Sequence, residues 1–216
     1  MAALDTLLAI TPFILSFRVG SPTGEWGRQA DEAQRTVRIT APFYMGVYEV
    51  TQRQWEDVAG AARSKPSWWN NTTDWEERPV EQVSYYDIRE CANANTNNSA
   101  VDWPGLGHAV DAGSFMGVLR AKTGNALEFD LPTEAQWEYA CRAGTTGPWN
   151  NGVGASNDET DPNLDLLGRY QRDGGQSNTV GTTYANWPQG VDASKATATA
   201  GSYLPNAWGL CDMHGN

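Results

Sequence analysis

Groups that carry nucleophilic or soft-metal chemistry are scarce in this chain. Its 216 residues contain three cysteines, Cys91, Cys141 and Cys211, and two histidines, His108 and His214. Because the cysteines are odd in number and widely spaced, they do not indicate a disulfide framework; a reducing compartment, or one bridge with a spare thiol, stays open. Two histidines are also too few to supply a three-histidine metal site within one chain.

Runs of basic residues and long apolar segments are missing as well. Lysine and arginine number 15 against 26 aspartates and glutamates, and the formal net charge is −11. This balance argues against a nucleic-acid partner. The mildly apolar segment 1–17 contains Asp5 and Pro12 and lacks a basic start, so it predicts neither a signal peptide nor a membrane span. We expect a soluble protein without a membrane partner, whose compartment stays unknown.

Aromatic residues and glycine, in contrast, are abundant. The chain has ten tryptophans, eight tyrosines, five phenylalanines, 22 glycines and 11 prolines. Aromatic side chains bury large areas, and glycine and proline favour turns. The length and composition predict one loop-rich domain that packs on aromatic anchors rather than on long regular elements.

Helix starts are marked three times by the same pattern. The stretches Thr51–Gln54, Ser84–Asp87 and Thr133–Gln136 each place a hydroxyl three residues before a side chain that can reach back. This is the spacing of a capping box, and it predicts three helices. A fourth helix is predicted over 115–122, ending at Gly124.

The third of these helices carries two kinds of side chain. Trp137, Ala140 and Cys141 are predicted to share its apolar face, with Cys141 as a small buried hydrophobe. Glu134 and Glu138 lie one turn apart and resemble a carboxylate pair for acid–base work. The helix macrodipole favours Glu134 in the first turn, so we interpret both as structural.

Short strands and a long irregular region complete the predicted order. Residues 36–40 alternate in polarity, and residues 43–50 are apolar, aromatic and β-branched, so both predict strands. The stretch 145–203 has no helical or strand period, and its aromatic residues indicate an ordered loop. The fold class predicted from these elements is α+β.

Five blocks of the sequence occur in an order typical of one family. They are FRVGSPTGEWGRQADE, FYMGVYEVTQRQWEDVAG, RPVEQVSYYDIREC, LPTEAQWEYACRAGT and GSYLPNAWGLCDMHGN. In this order they resemble the formylglycine-generating enzyme family, also called sulfatase-modifying factor domains. The resemblance covers residues 17–216 and leaves 1–16 unassigned. Val19, Asp130 and Cys211 stand where the family usually has Met, Arg and Tyr.

This resemblance implies a C-type-lectin-like variant of the α+β class, with structural calcium. The implied activity is O2-dependent oxidation of a sulfatase cysteine to formylglycine, for which the family uses a cysteine pair that binds copper(I). In the family that pair follows the last block, after a Val-Trp-Glu-Trp stretch. The resemblance therefore implies a domain truncated at its C-terminus, and at its N-terminus too, that lacks the copper ligands and is inactive as given.

Calcium ligands are also implied by the resemblance. One site would use the Asn163 side chain, the Leu164 carbonyl and Asp173. A second would use Asp212 and the Gly215 carbonyl, completed in the family by the glutamate of the Val-Trp-Glu-Trp stretch. Hard cations take such oxygen ligands from irregular loops. The alternative is that these side chains only cap turns.

Two further pairs have alternative interpretations. Cys211 and His214 form a Cys-x-x-His pair that could be a nucleophile with its base, half of a zinc site, or part of a turn. A turn is favoured, since the family position of Cys211 is normally tyrosine and no second ligand pair exists. Trp68 and Trp69 could form a sugar or peptide platform, against the default of loop anchoring.

The expected partners follow from these alternatives. A family enzyme would bind an unfolded sulfatase peptide. The alternative function is a non-catalytic, lectin-like module that binds another protein or a carbohydrate through the region 145–203. Iron-dependent sulfoxide synthases carry a similar domain, but their three-histidine site cannot be assembled from His108 and His214.

Overall fold

Short helices and strands make up the regular part of the fold. The computed structural model describes residues 7–10, 16–60, 66–89, 110–155, 161–170 and 197–215. Within these ranges the strands are β1 (Leu7–Ile10), β2 (Phe17–Val19), β3 (Arg35–Val37) and β4 (Phe43–Gly46). The helices are α1 (Gln52–Ala59), α2 (Tyr85–Arg89), α3 (Phe115–Lys122) and α4 (Glu134–Arg142). The predicted α+β class is confirmed, and none of these helices is long and apolar enough to cross a membrane.

The chain forms two compact units, and the first of them contains all four strands. It comprises residues 1–49 and 134–216, whereas the second comprises residues 50–133. In the first unit β1 pairs antiparallel with β4, and β2 pairs antiparallel with β3. The strands predicted at 36–40 and 43–50 are present but shorter. β4 ends at Gly46, and the next carbonyl, that of Val47, accepts a hydrogen bond from the Cys211 backbone at 2.8 Å.

Helix α4 supplies the centre of the first unit's core. Tyr139, Ala140 and Cys141 are buried there together with Leu210 and Met213. The Tyr139 ring packs 4.9 Å from the ring of Phe17 and 5.0 Å from the ring of Trp208.

The prediction that Trp137 shares this apolar face is wrong, because Trp137 is 44% exposed. At 3.6 residues per turn it lies on the side of Cys141 but one turn nearer the start of the helix, and the buried residues of α4, namely Tyr139, Ala140 and Cys141, all lie in its last turn.

The two glutamates of α4 make structural contacts. The Glu138 carboxylate accepts hydrogen bonds from the Gly20 backbone at 2.9 Å and from the Arg142 guanidinium at 2.8 Å. Arg142 also donates to the Gly20 carbonyl at 3.2 Å, so Glu138 and Arg142 together connect α4 to the end of β2. Glu134 forms an exposed ion pair with Arg35 at 3.1 Å.

The second unit is a small helical core. The rings of Trp55 in α1 and Phe115 in α3 stack at 4.5 Å with an angle of 4° between them. Two capping boxes predicted here are confirmed: Thr51 and Gln54 exchange backbone hydrogen bonds at the start of α1, and Ser84 and Asp87 do so at the start of α2. Helix α3 spans 115–122 as predicted.

Asp130, which departs from the family pattern, anchors this helical unit. Its carboxylate accepts a hydrogen bond from Arg89 at 2.8 Å, and a second guanidinium, that of Arg120, lies 3.4 Å away. Arg89 is 1% exposed. A buried arginine without a carboxylate partner would be strongly destabilising, so Asp130 has a clear structural role here.

Candidate functional site

The terminal block, residues 205–215, is joined to helix α4 by one amide side chain. The Asn206 side-chain nitrogen donates to the carbonyls of Ala140 at 2.8 Å and Cys141 at 3.2 Å. Its oxygen accepts from the Trp208 and Leu210 backbones at 2.9 and 3.1 Å. The last carbonyls of a helix have no partner within it, so Asn206 satisfies two of them and fixes the start of the block.

This arrangement brings Cys141 and His214 together. The Cys141 sulfur lies 3.9 Å from His214 Nε2 and 3.6 Å from the Met213 carbonyl oxygen. The Asn150 backbone N–H donates to the same Nε2 at 3.1 Å. That bond makes Nε2 the acceptor nitrogen, so the neutral ring carries its proton on Nδ1. Within the described residues no hydrogen bond joins His214 to Cys211.

The electrostatics of this thiol–imidazole pair oppose ionisation. Burial raises the pKa of the Cys141 thiol to about 11. Burial, together with the positive charge of Arg142, lowers the pKa of His214 to about 4. Burial and the nearby carboxylates of Asp212 and Glu49 raise the pKa of the Cys211 thiol. At neutral pH the pair is thus a thiol beside a neutral imidazole, whereas a nucleophile or a soft-metal ligand is a thiolate.

A row of aromatic and acidic side chains continues from the imidazole. The Trp149 ring meets the His214 ring edge-on, with centroids 5.4 Å apart. The Trp149 indole nitrogen donates to the Asp161 carboxylate at 3.0 Å. The Tyr170 hydroxyl accepts a hydrogen bond from the Asp161 backbone and donates one to the Asp165 carboxylate at 2.7 Å, so it holds the segment 161–170 together. Burial is the main cause of a raised pKa at Asp165.

The first predicted calcium set lies along this row. The Asn163 backbone donates to the Asp161 carboxylate at 2.9 Å. The Leu164 carbonyl accepts hydrogen bonds from the backbones of Leu167 and Gly168 at 2.9 and 3.2 Å. Asp173 lies outside the described residues. These contacts make Asp161 and Leu164 parts of a turn at 161–168.

The second predicted calcium set lies in the terminal block. Asp212 is buried, and its two carboxylate oxygens accept the backbone N–H groups of Gly201 and Tyr203. Burial raises the pKa of this carboxyl, while the two backbone hydrogen bonds oppose the rise. Gly215 has a φ of +94°, and a Cβ there would lie 2.7 Å from the Arg169 carbonyl oxygen. The glycine therefore permits the block to pass close to the segment 167–169.

The donor atoms of the two predicted calcium sets are oxygens. Carboxylate, amide and carbonyl oxygens are the donor types that calcium prefers. In the described ranges, however, no group of three or more His, Cys, Asp or Glu side chains is placed to hold a metal ion. The donor types of the predicted sets fit calcium, these sets use amide and carbonyl oxygens as well as carboxylates, and both calcium sets stay predictions. The described thiols of Cys141 and Cys211 likewise share no contact that would make a copper pair.

Sequence reasoning missed the residues that organise this site. The hydrogen bonds of Asn206 to α4 span 65 and 66 residues of chain, and that of Asn150 to His214 spans 64, so no local pattern predicts them. The available signal was the PNAW motif, whose asparagine precedes a turn at residues 207–209. Cys141 was predicted to be buried, and it is, but its proximity to His214 was not predicted.

Comparisons with known proteins gave matches of three kinds. The family profile described as "Sulfatase-modifying factor enzyme 1-like domain" matches residues 16–216. The Chaperone protein LppX of Paenibacillus barcinonensis is 32% identical over 184 residues, covering 81% of this chain and 59% of that protein. The Formylglycine-generating enzyme of Bos taurus is 25% identical over 217 residues, covering 93% of this chain and 53% of that protein.

Among solved structures, PvdO from Pseudomonas aeruginosa is similar with a TM-score of 0.57 at 23% identity, and the match covers 93% of this chain and 64% of that chain. This likeness shows a shared fold. The chain thus spans between 53% and 64% of the length of these relatives.

Proposed function

This chain belongs to the family of sulfatase-modifying factor enzyme 1-like domains, and from that premise we propose that it binds a polypeptide without oxidising it. The family resemblance supports a polypeptide ligand that contains cysteine, such as an unfolded sulfatase segment. The two curated relatives bear the names of a chaperone and of a formylglycine-generating enzyme. The first name describes a protein that acts on other polypeptides, which supports this part of the proposal.

The protonation state of the Cys141–His214 pair supports the second part of the proposal, namely that the bound polypeptide is not oxidised. Oxidation of a substrate cysteine through copper(I) needs thiolate ligands in the enzyme. The Cys141 thiol has a pKa of about 11, and His214, with a pKa of about 4, is too weak a base to deprotonate it at neutral pH. A pKa gap of about seven units makes this proton transfer unfavourable by on the order of 10 kcal/mol, at about 1.4 kcal/mol per unit. We therefore expect the described thiols to take no part in chemistry.

The proposal has two finer parts: a C-type-lectin-like fold and the binding of structural calcium. A C-type-lectin-like arrangement is supported by the family resemblance and by the low content of regular structure. Calcium at Asn163 and Leu164, or at Asp212 and Gly215, is supported by the resemblance and by the oxygen donors of these loops. Calcium binding would raise the melting temperature relative to EDTA. An identical melting temperature in both conditions would overturn the calcium part alone.

The polypeptide part is tested by fluorescence anisotropy. A fluorescein-labelled, unstructured peptide that contains the modified cysteine of a sulfatase is titrated with the full chain. A matched peptide with serine in place of that cysteine serves as the control. We expect saturable binding of both peptides with similar affinity, because no covalent step is involved. No anisotropy change for either peptide would refute polypeptide binding.

A further inference from the structure

We propose that Trp68 is the centre of a carbohydrate-binding site in the second unit. Trp68 begins the turn 68–71 between α1 and α2, and it is 70% exposed. Tryptophan is highly buried on average, so an indole presented to this extent is unusual for a structural residue. Its partner in the sequence pair, Trp69, is only partly exposed. Of the two neighbouring tryptophans, Trp68 is therefore the more exposed to solvent.

The backbone on both sides of Trp68 is held in place. Ser67 is buried, and its hydroxyl accepts the Glu81 backbone N–H at 3.1 Å. The Trp69 backbone N–H donates to the Glu81 carboxylate at 3.0 Å, and the Trp69 carbonyl accepts from the Gln52 side chain at 3.4 Å. The exposed indole is therefore carried by a braced turn. Binding to a braced side chain costs less conformational entropy than binding to a mobile one.

A second brace follows the turn. Arg78, which is 1% exposed, donates two hydrogen bonds of 2.8 Å to the Asp74 carboxylate. The Arg78 carbonyl in turn accepts the Gln52 backbone N–H at 2.8 Å, at the start of α1. Both Trp69, before this part of the loop, and Arg78, after it, are therefore hydrogen-bonded to Gln52 at the start of α1.

The residues next to Trp68 in the sequence suit a neutral sugar. Residues 66–73 carry no charged side chain, and Asn70 and Asn71 lie two and three positions after Trp68. Neither amide side chain makes a hydrogen bond within the described part of the chain, so both can bind a ligand. An aromatic face can stack on the C–H face of a pyranose, while amides donate to and accept from its hydroxyls.

Other ligands fit this surface less well. A nucleic-acid base could stack on the indole, but the net charge of −11 opposes a phosphate backbone. A stable protein interface buries about 800 Å² on each partner. In the described part of this unit the other exposed large hydrophobic residues are Val50 and Leu127, so Trp68 is its one exposed aromatic platform. One ring with two amides matches the size of one or two sugar residues.

Native affinity electrophoresis tests the proposal with the full chain. The protein is run in gels that contain a neutral soluble polysaccharide, namely a mixed-linkage β-glucan, a galactomannan, glycol chitin or dextran. We expect retardation in at least one gel and a dissociation constant weakened at least about tenfold in Trp68→Ala, as for an aromatic hot spot. Trp26→Ala removes another exposed tryptophan, 55% exposed and in the first unit, and should migrate like the unchanged chain.

Two results would overturn this assignment. One is the absence of retardation of the unchanged chain in every gel. The other is equal retardation of Trp68→Ala, with circular dichroism showing that the variant is folded. If Trp68-dependent binding occurs only with a labelled peptide or a single-stranded oligonucleotide, the ligand class is wrong. The polypeptide proposal uses a different ligand, so failure of one does not decide the other.

Discussion

Replacing Asn206 by aspartate should destabilise the first unit far more than its small change in structure suggests. The side-chain nitrogen of Asn206 donates to the carbonyls of Ala140 and Cys141 at 2.8 and 3.2 Å. In Asn206→Asp this nitrogen becomes a carboxylate oxygen that faces two carbonyl oxygens. The two buried carbonyls lose their donor, at a cost of about 1–3 kcal/mol each. The new negative charge also lies at the C-terminus of α4, where the macrodipole opposes it.

Together these terms predict a loss of about 3–5 kcal/mol at pH 7. For a chain of this size, that loss lowers the melting temperature by roughly 6–20 °C. Protonation of the introduced carboxyl restores one donor, so part of the loss should be recovered near pH 4. Differential scanning fluorimetry across this pH range measures both effects.

The matched control is Asn151→Asp. Asn151 is exposed, and its side-chain oxygen accepts a hydrogen bond from the Val153 backbone at 3.0 Å, which aspartate can keep. The two variants have the same change in charge, and the control should shift stability by less than about 0.5 kcal/mol. Equal shifts in the two variants would refute the capping role of Asn206.

Three other perturbations have expected outcomes. Gly168→Ala places a Cβ 2.4 Å from the His214 carbonyl oxygen and should lower the free energy of unfolding by about 1–3 kcal/mol, measured by denaturant titration. In the control Gly154→Ala the new Cβ has no atom within 4 Å, so stability should hardly change. Equal losses in the two variants would contradict the close approach at Gly168. Glu138→Ala should lose about 2 kcal/mol, because it leaves the Gly20 backbone N–H without its acceptor and removes the carboxylate partner of Arg142. Glu134→Ala, in an exposed ion pair, should lose less than about 1 kcal/mol, and the reverse order would contradict the structural role of Glu138. His214 has a pKa of about 4 when folded and 6.5 in its ordinary state, so the unfolded chain binds more protons as pH falls between these values. Stability should therefore fall from pH 6.5 to 4, and a His214→Gln variant that keeps the same slope would contradict this.

Helices were predictable from the sequence because their signals are local. Thr51 with Gln54, and Ser84 with Asp87, act within one turn, and their spacing alone specifies the capping contacts. The strands were less predictable. β1 and β2 contain four and three residues, which is too short for an alternation of polar and apolar positions to show. They exist because β4 and β3 pair with them.

The candidate site was predictable only in part, since its contacts are distant in sequence. The Cys-x-x-His spacing directs attention to His214, and His214 does lie at the site. Its neighbour in space is Cys141, 73 residues away, rather than Cys211, three residues away. The error at Trp137 has a similar cause, because tertiary packing decides which turn of α4 is buried, and the buried residues lie in its last turn. Only the packing against Phe17 and Trp208 selects Tyr139.

The proposal that this chain binds a polypeptide without oxidising it is tested most directly by mass spectrometry. The cysteine-containing sulfatase peptide is incubated with the full chain, copper(I) and O2 at neutral pH, and the peptide mass is followed over time. We predict that the anisotropy sample shows binding while the peptide keeps the mass of its cysteine form. Conversion of that cysteine to the aldehyde, dependent on the chain, would contradict the account.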